Sequence, residues 1–161
     1  CVGAFAPVVM LIAWRPLSAI DRAAVAPDGE TVAFLRRMPL FAPLPPPAIE
    51  RILARVERIS VPADEVLIRE GDVGDRFLMI VDGRGELTRG GQPVTDLGPG
   101  DHFGEIALLR DVPRNATFTA TTPMTLLVLD RDTFLEAVTG HPQVHARAEA
   151  IADARTPPAS S

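Results

Sequence analysis

Residues 101–118 read DHFGEIALLRDVPRNATF. In this run Glu105 directly follows Gly104 at the start of a short apolar segment, and Arg114 comes nine positions later, directly after Pro113. The first N–H groups of a helix have no partner within the helix and can bind an anion. An arginine adds a bidentate, charge-assisted grip on a phosphate, and an ionised carboxylate accepts hydrogen bonds from hydroxyl groups. The run therefore predicts a site for a small molecule that carries one anionic phosphate and one ribose hydroxyl.

The order and spacing of this run resemble the phosphate-binding cassette of the cyclic nucleotide-binding domain family. In that family F-G-E is followed by a small apolar helical turn and then by P-R, a variable residue, A and S or T. The resemblance implies a ligand, cAMP or cGMP, rather than a cofactor or a metal, and a regulatory module rather than an enzyme. It assigns Glu105 to the ribose 2′-hydroxyl and Arg114 to the phosphate. The nucleotide-binding residues that it implies are Phe103, Gly104, Glu105, Ile106, Ala107, Arg114, Asn115 and Ala116.

These residues also have purely structural interpretations. An acid such as Glu105 stabilises a helix N-terminus through the helix dipole. An inward-facing Arg114 needs an anion because an unpaired buried charge is costly, and Glu105 would supply one if no ligand does. Ala107 and Ile106 can equally be core residues. Asn115 departs from the family, in which this residue is often small or carries a hydroxyl, and in which a hydroxyl accompanies a preference for guanine. An asparagine here could bond to a phosphate oxygen or a base edge, or face water, so it does not decide which nucleotide binds. We expect cAMP rather than cGMP.

The sequence after residue 60 consists of short β-branched segments separated by Gly, Pro or Asp, which is typical of a small β-barrel. Two of these segments flank Gly90-Gly91 and predict a hairpin. Near the C-terminus, two helical patterns are separated by residues 140–142, GHP, and the second carries an apolar stripe of Val144, Ala148 and Ile151. The predicted fold is mainly β, an eight-stranded jelly-roll barrel with flanking N-terminal and C-terminal α-helices.

The chain is predicted to contain an apolar segment (1–15), a linker (16–31), the cyclic nucleotide-binding domain (32–153) and a disordered tail (154–161). Thirteen apolar residues would span about 20 Å as a helix, which is less than the ~30 Å of a bilayer core. Because Trp and Arg follow them, we interpret them as the end of a membrane helix. A buried helix of an upstream soluble domain is the alternative. The first interpretation predicts a fused membrane partner, such as a transporter or channel, and a position at the cytoplasmic face of the cell membrane.

The composition excludes several classes of function. A net charge of −5 and a pI near 5.2 argue against nucleic acid as a partner. Only His102 of the three histidines lies in the predicted barrel, which argues against a metal-dependent jelly-roll enzyme. A degenerate copy of the domain, retained as a structural or dimerising module, stays open because Gly85 replaces a β-branched residue of the family and the last helix has no aromatic residue. A homodimer is compatible with either function.

Overall fold

The structure, a computed structural model, describes residues 21–24, for which only the backbone is described, and residues 28–156. The strands are β1 Asp21–Ala24, β2 Glu57–Val61, β3 Val66–Ile68, β4 Arg76–Asp82, β5 Gly85–Arg89, β6 Gln92–Leu97, β7 His102–Phe103, β8 Thr117–Ala120 and β9 Met124–Asp130. The helices are α1 Gly29–Arg37, α2 Pro46–Leu53, α3 Glu105–Arg110, α4 Arg131–Thr139 and α5 Pro142–Arg155.

The strands form two antiparallel sheets, one ordered β1-β2-β9-β4-β7 and the other β3-β8-β5-β6. The predicted fold class is confirmed: eight strands, β2 to β9, form the jelly roll, and helices flank it on both sides in sequence. The predicted hairpin is present, since Arg89 pairs with Gln92 across the two glycines. The predicted linker contains a further strand, β1, which pairs with β2 from Asp21↔Ser60 to Ala24↔Glu57.

Strand β4 lies between two hydrophobic cores, which explains why the middle of its sequence RFLMIVD is continuously apolar. Successive side chains of a strand point to opposite faces. Leu78 and Ile80 therefore belong to the core between the two sheets, whereas Phe77 and Met79 belong to a second core beneath the helices. A strand that is buried on both faces loses the alternation of apolar and polar residues.

Helix α5 extends further than the sequence predicts. The predicted domain ends at residue 153, but the helix continues to Arg155, because the N–H group of Thr156 bonds to the carbonyl of Ala152 and closes the last turn. Val144, Ala148 and Ala152 form its buried stripe, so that Ala152 rather than Ile151 is the third fully buried position. The stripe places the C-terminal end of α5 against α3.

Two predictions fall mainly on residues that the structure does not describe. The apolar segment at 1–15 lies outside the described residues, and so does the tail from residue 157 onwards. No helix within 21–24 and 28–156 combines the length and the apolar character needed to cross a lipid bilayer.

Candidate functional site

The site begins at Gly104, the residue that caps the N-terminus of α3. Its φ of 97° lies in the left-handed region, which is unfavourable for residues with a Cβ atom. A Cβ placed here would lie 2.5 Å from Nη1 of Arg114 and 2.9 Å from the carbonyl oxygen of Arg76. The glycine therefore allows the Arg114 guanidinium to lie directly against the main chain at the start of the helix.

The guanidinium of Arg114 is a buried cation. The residue is 5% exposed, and its Nη1 and Nη2 atoms donate to the carbonyl oxygens of Gly104 at 2.9 Å and of Arg76 at 2.7 Å. Burial lowers the pKa of Arg114, and the nearby charges of Asp75 and Glu105 oppose that change. An arginine side chain nevertheless remains protonated in proteins. Among the described residues, no carboxylate lies within ion-pair distance of this guanidinium.

The predicted alternative, an ion pair between Glu105 and Arg114, is therefore not what the structure contains. Glu105 is 1% exposed, and its Oε1 atom accepts a hydrogen bond from Nη1 of Arg155 at 2.7 Å. Its Oε2 atom lies 3.4 Å from Nδ1 of His102. Burial raises the pKa of Glu105, but the proximity of His102 and the positive charge of Arg155 outweigh burial and lower it. The carboxylate is thus ionised at neutral pH.

Arg155 is a site residue that the sequence analysis assigned to a disordered tail. Its Nη1 atom also donates to the carbonyl of His102 at 2.8 Å, so that the last turn of α5 is fixed over the cassette. A second polar contact lies beside it, where Arg110 of α3 pairs with Asp153 of α5. The sequence did contain a signal that the helix includes this residue. Val144, Ala148 and Ala152 are spaced as on one face of a helix, and the next turn of that helix contains Arg155.

A cavity of about 410 Å³ lies between the second sheet, α3 and the end of α5. All eight residues predicted for the nucleotide site line this one cavity: Phe103, Gly104, Glu105, Ile106, Ala107, Arg114, Asn115 and Ala116. Ile106, Ala107 and Ala116 are also buried, so they are core residues and wall residues at once.

The opposite wall of the cavity was not predicted as part of the site. It is formed by Ile68, Leu87, Arg89, Val94, Thr95 and Leu97 of the second sheet. Strand alternation could have identified part of it, since Leu87 and Arg89 are two positions apart in β5 and share a face. Nε of Arg89 donates to the carbonyl of Asn115 at 3.0 Å, which connects this wall to the cassette.

Gly85 has a packing role that the sequence did not reveal. A Cβ atom at this position would collide with the ring of Phe118, and it would lie 2.7 Å from the carbonyl oxygen of Thr119. The Phe118 ring in turn stacks on Phe103, with ring centroids 4.1 Å apart. The missing side chain of Gly85 thus allows an aromatic pair to support the floor of the cavity.

The arrangement suits a small anionic ligand. Arg114 offers positive charge without a carboxylate partner, Glu105 offers an acceptor, and the second sheet offers an apolar wall. Within the described residues, no group of three His, Cys, Asp or Glu side chains is placed to hold a metal ion. A β-sandwich with such a cavity defines a ligand-binding domain.

Comparison with known proteins identifies the kind of domain. Residues 58–141, more than half of the chain, match the cyclic nucleotide-binding domain family. The chain therefore belongs to this family, as the resemblance of its cassette predicted.

Two curated relatives show the settings in which similar domains occur. A cAMP-dependent protein kinase regulatory subunit of Emericella nidulans is 40% identical over 104 residues, which are 63% of this chain and 25% of that protein. A cyclic nucleotide-gated potassium channel of Rhizobium etli is 41% identical over 92 residues, 57% of this chain and 26% of the channel. The chain thus spans about a quarter of the length of these relatives.

The solved structures agree with this assignment. The regulatory domain of Toxoplasma gondii protein kinase A, crystallised with cAMP, matches with a TM-score of 0.70 and 29% identity over 82% of this chain and 52% of that one. A second cAMP-bound kinase regulatory chain, with a TM-score of 0.69 and 24% identity, shares the fold.

Proposed function

We propose that this domain senses cAMP, in preference to cGMP, and acts as a non-catalytic regulatory module of the protein to which it is fused. The observation that carries the proposal is the buried guanidinium of Arg114, which faces the cavity without a carboxylate partner. The cyclic phosphate binds between this guanidinium and the first amides of α3. The ribose 2′-hydroxyl donates to the carboxylate of Glu105. The match to a regulatory domain crystallised with cAMP supports this assignment.

The preference for cAMP rests on the wall that faces the base. Ile68, Leu87, Val94 and Leu97 make that wall largely apolar, with Arg89 and Thr95 as its polar members, and Asn115 offers no hydroxyl group to a guanine. A site that does not hydrogen-bond the exocyclic oxygen of guanine leaves that polar atom unpaired when it is buried, which costs about 1–3 kcal/mol. Adenine lacks this exocyclic oxygen.

In this proposal the bound nucleotide changes the position of α5 through the hydrogen bond between Glu105 and Arg155. The Oε1 atom that would accept the ribose hydroxyl already accepts from Arg155, whereas Oε2 is buried. A bound ribose therefore joins or displaces Arg155 and alters how firmly the end of α5 is docked. A ligand shifts an equilibrium by the difference in its affinity for the two states. Helix α5 follows Gly140, and we place the hinge of the response there.

We further propose that the regulated partner is a fused membrane protein and that the domain lies at the cytoplasmic face of the cell membrane. The apolar residues 1–13, followed by Trp14 and Arg15, support this proposal, as does the similarity to a potassium channel. In this proposal residues 16–31 connect the membrane part to the domain. Membrane fractionation of the natural full-length protein tests it, and recovery only in the soluble fraction would overturn it.

Calorimetric titration of the 161-residue chain with cAMP, cGMP and 5′-AMP tests the binding function. At ~0.3 kcal/mol for each of roughly 22 non-hydrogen atoms, cAMP should bind with a Kd on the order of 10 µM or tighter. We expect weaker binding of cGMP and little binding of 5′-AMP, which carries a dianionic, uncyclised phosphate. Absence of heat with every nucleotide would favour the degenerate, non-binding module. Tighter binding of cGMP would overturn the base preference.

Replacing Glu105 by glutamine should relax the selectivity for ribose. The charged acceptor becomes a neutral amide, and hydrogen bonds to charged groups contribute about 1.5–3 kcal/mol. We expect the ratio of the Kd for 2′-deoxy-cAMP to the Kd for cAMP to fall about tenfold in the variant. A wild-type protein that binds both ligands equally would contradict the role given to Glu105.

Replacing Arg155 by alanine should loosen the end of α5. Because the Arg155 side chain is partly exposed, we expect a modest effect, up to about tenfold faster amide exchange in the last turn of α5. Hydrogen exchange with and without cAMP measures it, and cAMP should change the exchange of α5 less than it does in wild type. Arg147→Ala is the control, because Arg147 lies on the same helix and bonds to the carbonyl of Pro39 instead. Equal effects of the two variants would argue against Arg155 as the link between ligand and helix.

A further inference from the structure

Two buried polar atoms at the start of the cassette, one of them on Glu105 of the cavity lining, face each other without a hydrogen bond. Nδ1 of His102 lies 3.4 Å from Oε2 of Glu105, and neither atom has a hydrogen-bond partner in the part of the chain that the structure describes. The two side chains are only 8% and 2% exposed. A buried polar atom without a partner costs about 1–3 kcal/mol, so this pair of atoms calls for an explanation.

The surroundings hold the histidine in this position. His102 pairs with Met79 across β7 and β4, and its ring lies against Phe77 with centroids 5.2 Å apart. Its carbonyl oxygen accepts from the Nη1 atom of Arg155 that also binds Oε1 of Glu105. The carboxylate is thus held between Arg155 on one oxygen and the imidazole on the other.

In this pair the imidazole must be the hydrogen-bond donor and the carboxylate the acceptor. An ionised carboxylate only accepts hydrogen bonds, so Nδ1 is a favourable neighbour only when it carries a proton. The neutral Nδ1–H tautomer and the imidazolium both meet this condition. A charge-assisted N–H···O bond is normally about 2.7–2.9 Å long, so the 3.4 Å approach is about 0.5 Å longer than such a bond, and closing it would give both atoms their missing partner.

We propose that His102 is a positioning residue for Glu105: its Nδ1–H group holds Oε2 and leaves Oε1 as the acceptor for a ribose 2′-hydroxyl. His102 thereby sets the selectivity for ribonucleotides over 2′-deoxyribonucleotides. This inference rests on the proposed function, since it concerns the same cavity. His102 itself is not among the residues that line the cavity, so its role runs through the orientation of the carboxylate.

Two variants of similar shape test the proposal. Both Leu and Asn branch at Cγ, as the imidazole does. The side chain of His102→Asn can place an N–H donor where Nδ1 lies, whereas the side chain of His102→Leu carries no donor. The measurement is the ratio of the Kd for 2′-deoxy-cAMP to the Kd for cAMP. We expect the ratio to fall about tenfold in the Leu variant and to stay within about threefold of wild type in the Asn variant. The tenfold change corresponds to the loss of one hydrogen bond to a charged group. Equal ratios in the two variants would overturn the proposal.

A second measurement reads the contact without nucleotide. The pKa of Glu105 can be followed by ¹³C NMR of its carboxyl carbon in the ligand-free protein. Since the proximity of His102 lowers this pKa, it should rise in the Leu variant and change less in the Asn variant. An unchanged pKa in the Leu variant would overturn the positioning role even if cAMP binds. If the pKa rises but wild type binds no cyclic nucleotide, the proposed function fails and the selectivity claim fails with it, while the contact between the two side chains stands.

Discussion

Replacing Arg114 by alanine should weaken the binding of cAMP by about 2–5 kcal/mol, which is roughly thirty-fold to several thousand-fold in Kd. The loss is large because the guanidinium is a buried counter-charge for the phosphate, and truncating one partner of a buried charge pair leaves the other unpaired. The cassette would then present an anion to amide groups alone. Calorimetry with wild type and variant measures the difference.

Two further variants show whether the geometry of Arg114 matters or only its charge. Lysine keeps the charge but carries its donors on a single nitrogen, so it cannot reproduce the planar fork whose two nitrogens hold the carbonyls of Gly104 and Arg76. We expect Arg114→Lys to lose less affinity than Arg114→Ala but still more than tenfold. Arg51→Ala serves as the control, since Arg51 of α2 is exposed and pairs with the exposed Glu136 of α4. An Arg114→Ala variant that binds cAMP like the Arg51 control would remove the basis of the proposed function.

The cassette could be predicted from the sequence because its chemistry is local. Gly104, Glu105 and Arg114 lie within eleven consecutive positions, and the glycine, the short helix and the proline before the arginine constrain how these residues can meet. The same holds for the hairpin at Gly90-Gly91, where two residues define the turn. In both cases short-range stereochemistry decides the structure, and long-range packing only confirms it.

The partners of Glu105 could not be predicted in this way. Arg155 is separated from Glu105 by 50 positions, and the contact depends on where α5 crosses α3. Local spacing suggested Arg114 as the counter-ion, but the backbone carbonyls of Gly104 and Arg76 take up that guanidinium instead. Which of two nearby arginines pairs with a carboxylate is set by tertiary packing.

Gly85 illustrates a similar limit. Judged by strand propensity alone, a glycine in β5 weakens the sheet. In the folded domain it provides the space into which the Phe118 ring projects from the neighbouring strand β8. The residue can be understood only together with a partner more than thirty positions away.

Replacing Gly104 by alanine should affect both stability and binding. Any residue with a Cβ atom at a positive φ costs about 1–2 kcal/mol. At Gly104 the new methyl group would also meet Nη1 of Arg114 and the carbonyl of Arg76, and overpacking typically adds about 1–3 kcal/mol. We therefore expect the free energy of unfolding to fall by about 2–5 kcal/mol and the affinity for cAMP to fall more than tenfold, because the methyl group displaces the guanidinium.

Gly100→Ala separates backbone strain from the loss of space beside Arg114. Gly100 has a φ of 88°, close to the 97° of Gly104, but a Cβ atom there meets nothing within 4 Å. Urea unfolding should show a loss of only about 1–2 kcal/mol for Gly100→Ala, the cost of the positive φ alone, and calorimetry should show unchanged affinity. If both alanine variants bound cAMP equally well, the close approach of Arg114 to the main chain at Gly104 would have no part in holding the phosphate. If only Gly104→Ala lost affinity, Gly104 would be required because the absence of a Cβ atom leaves room for the guanidinium of Arg114.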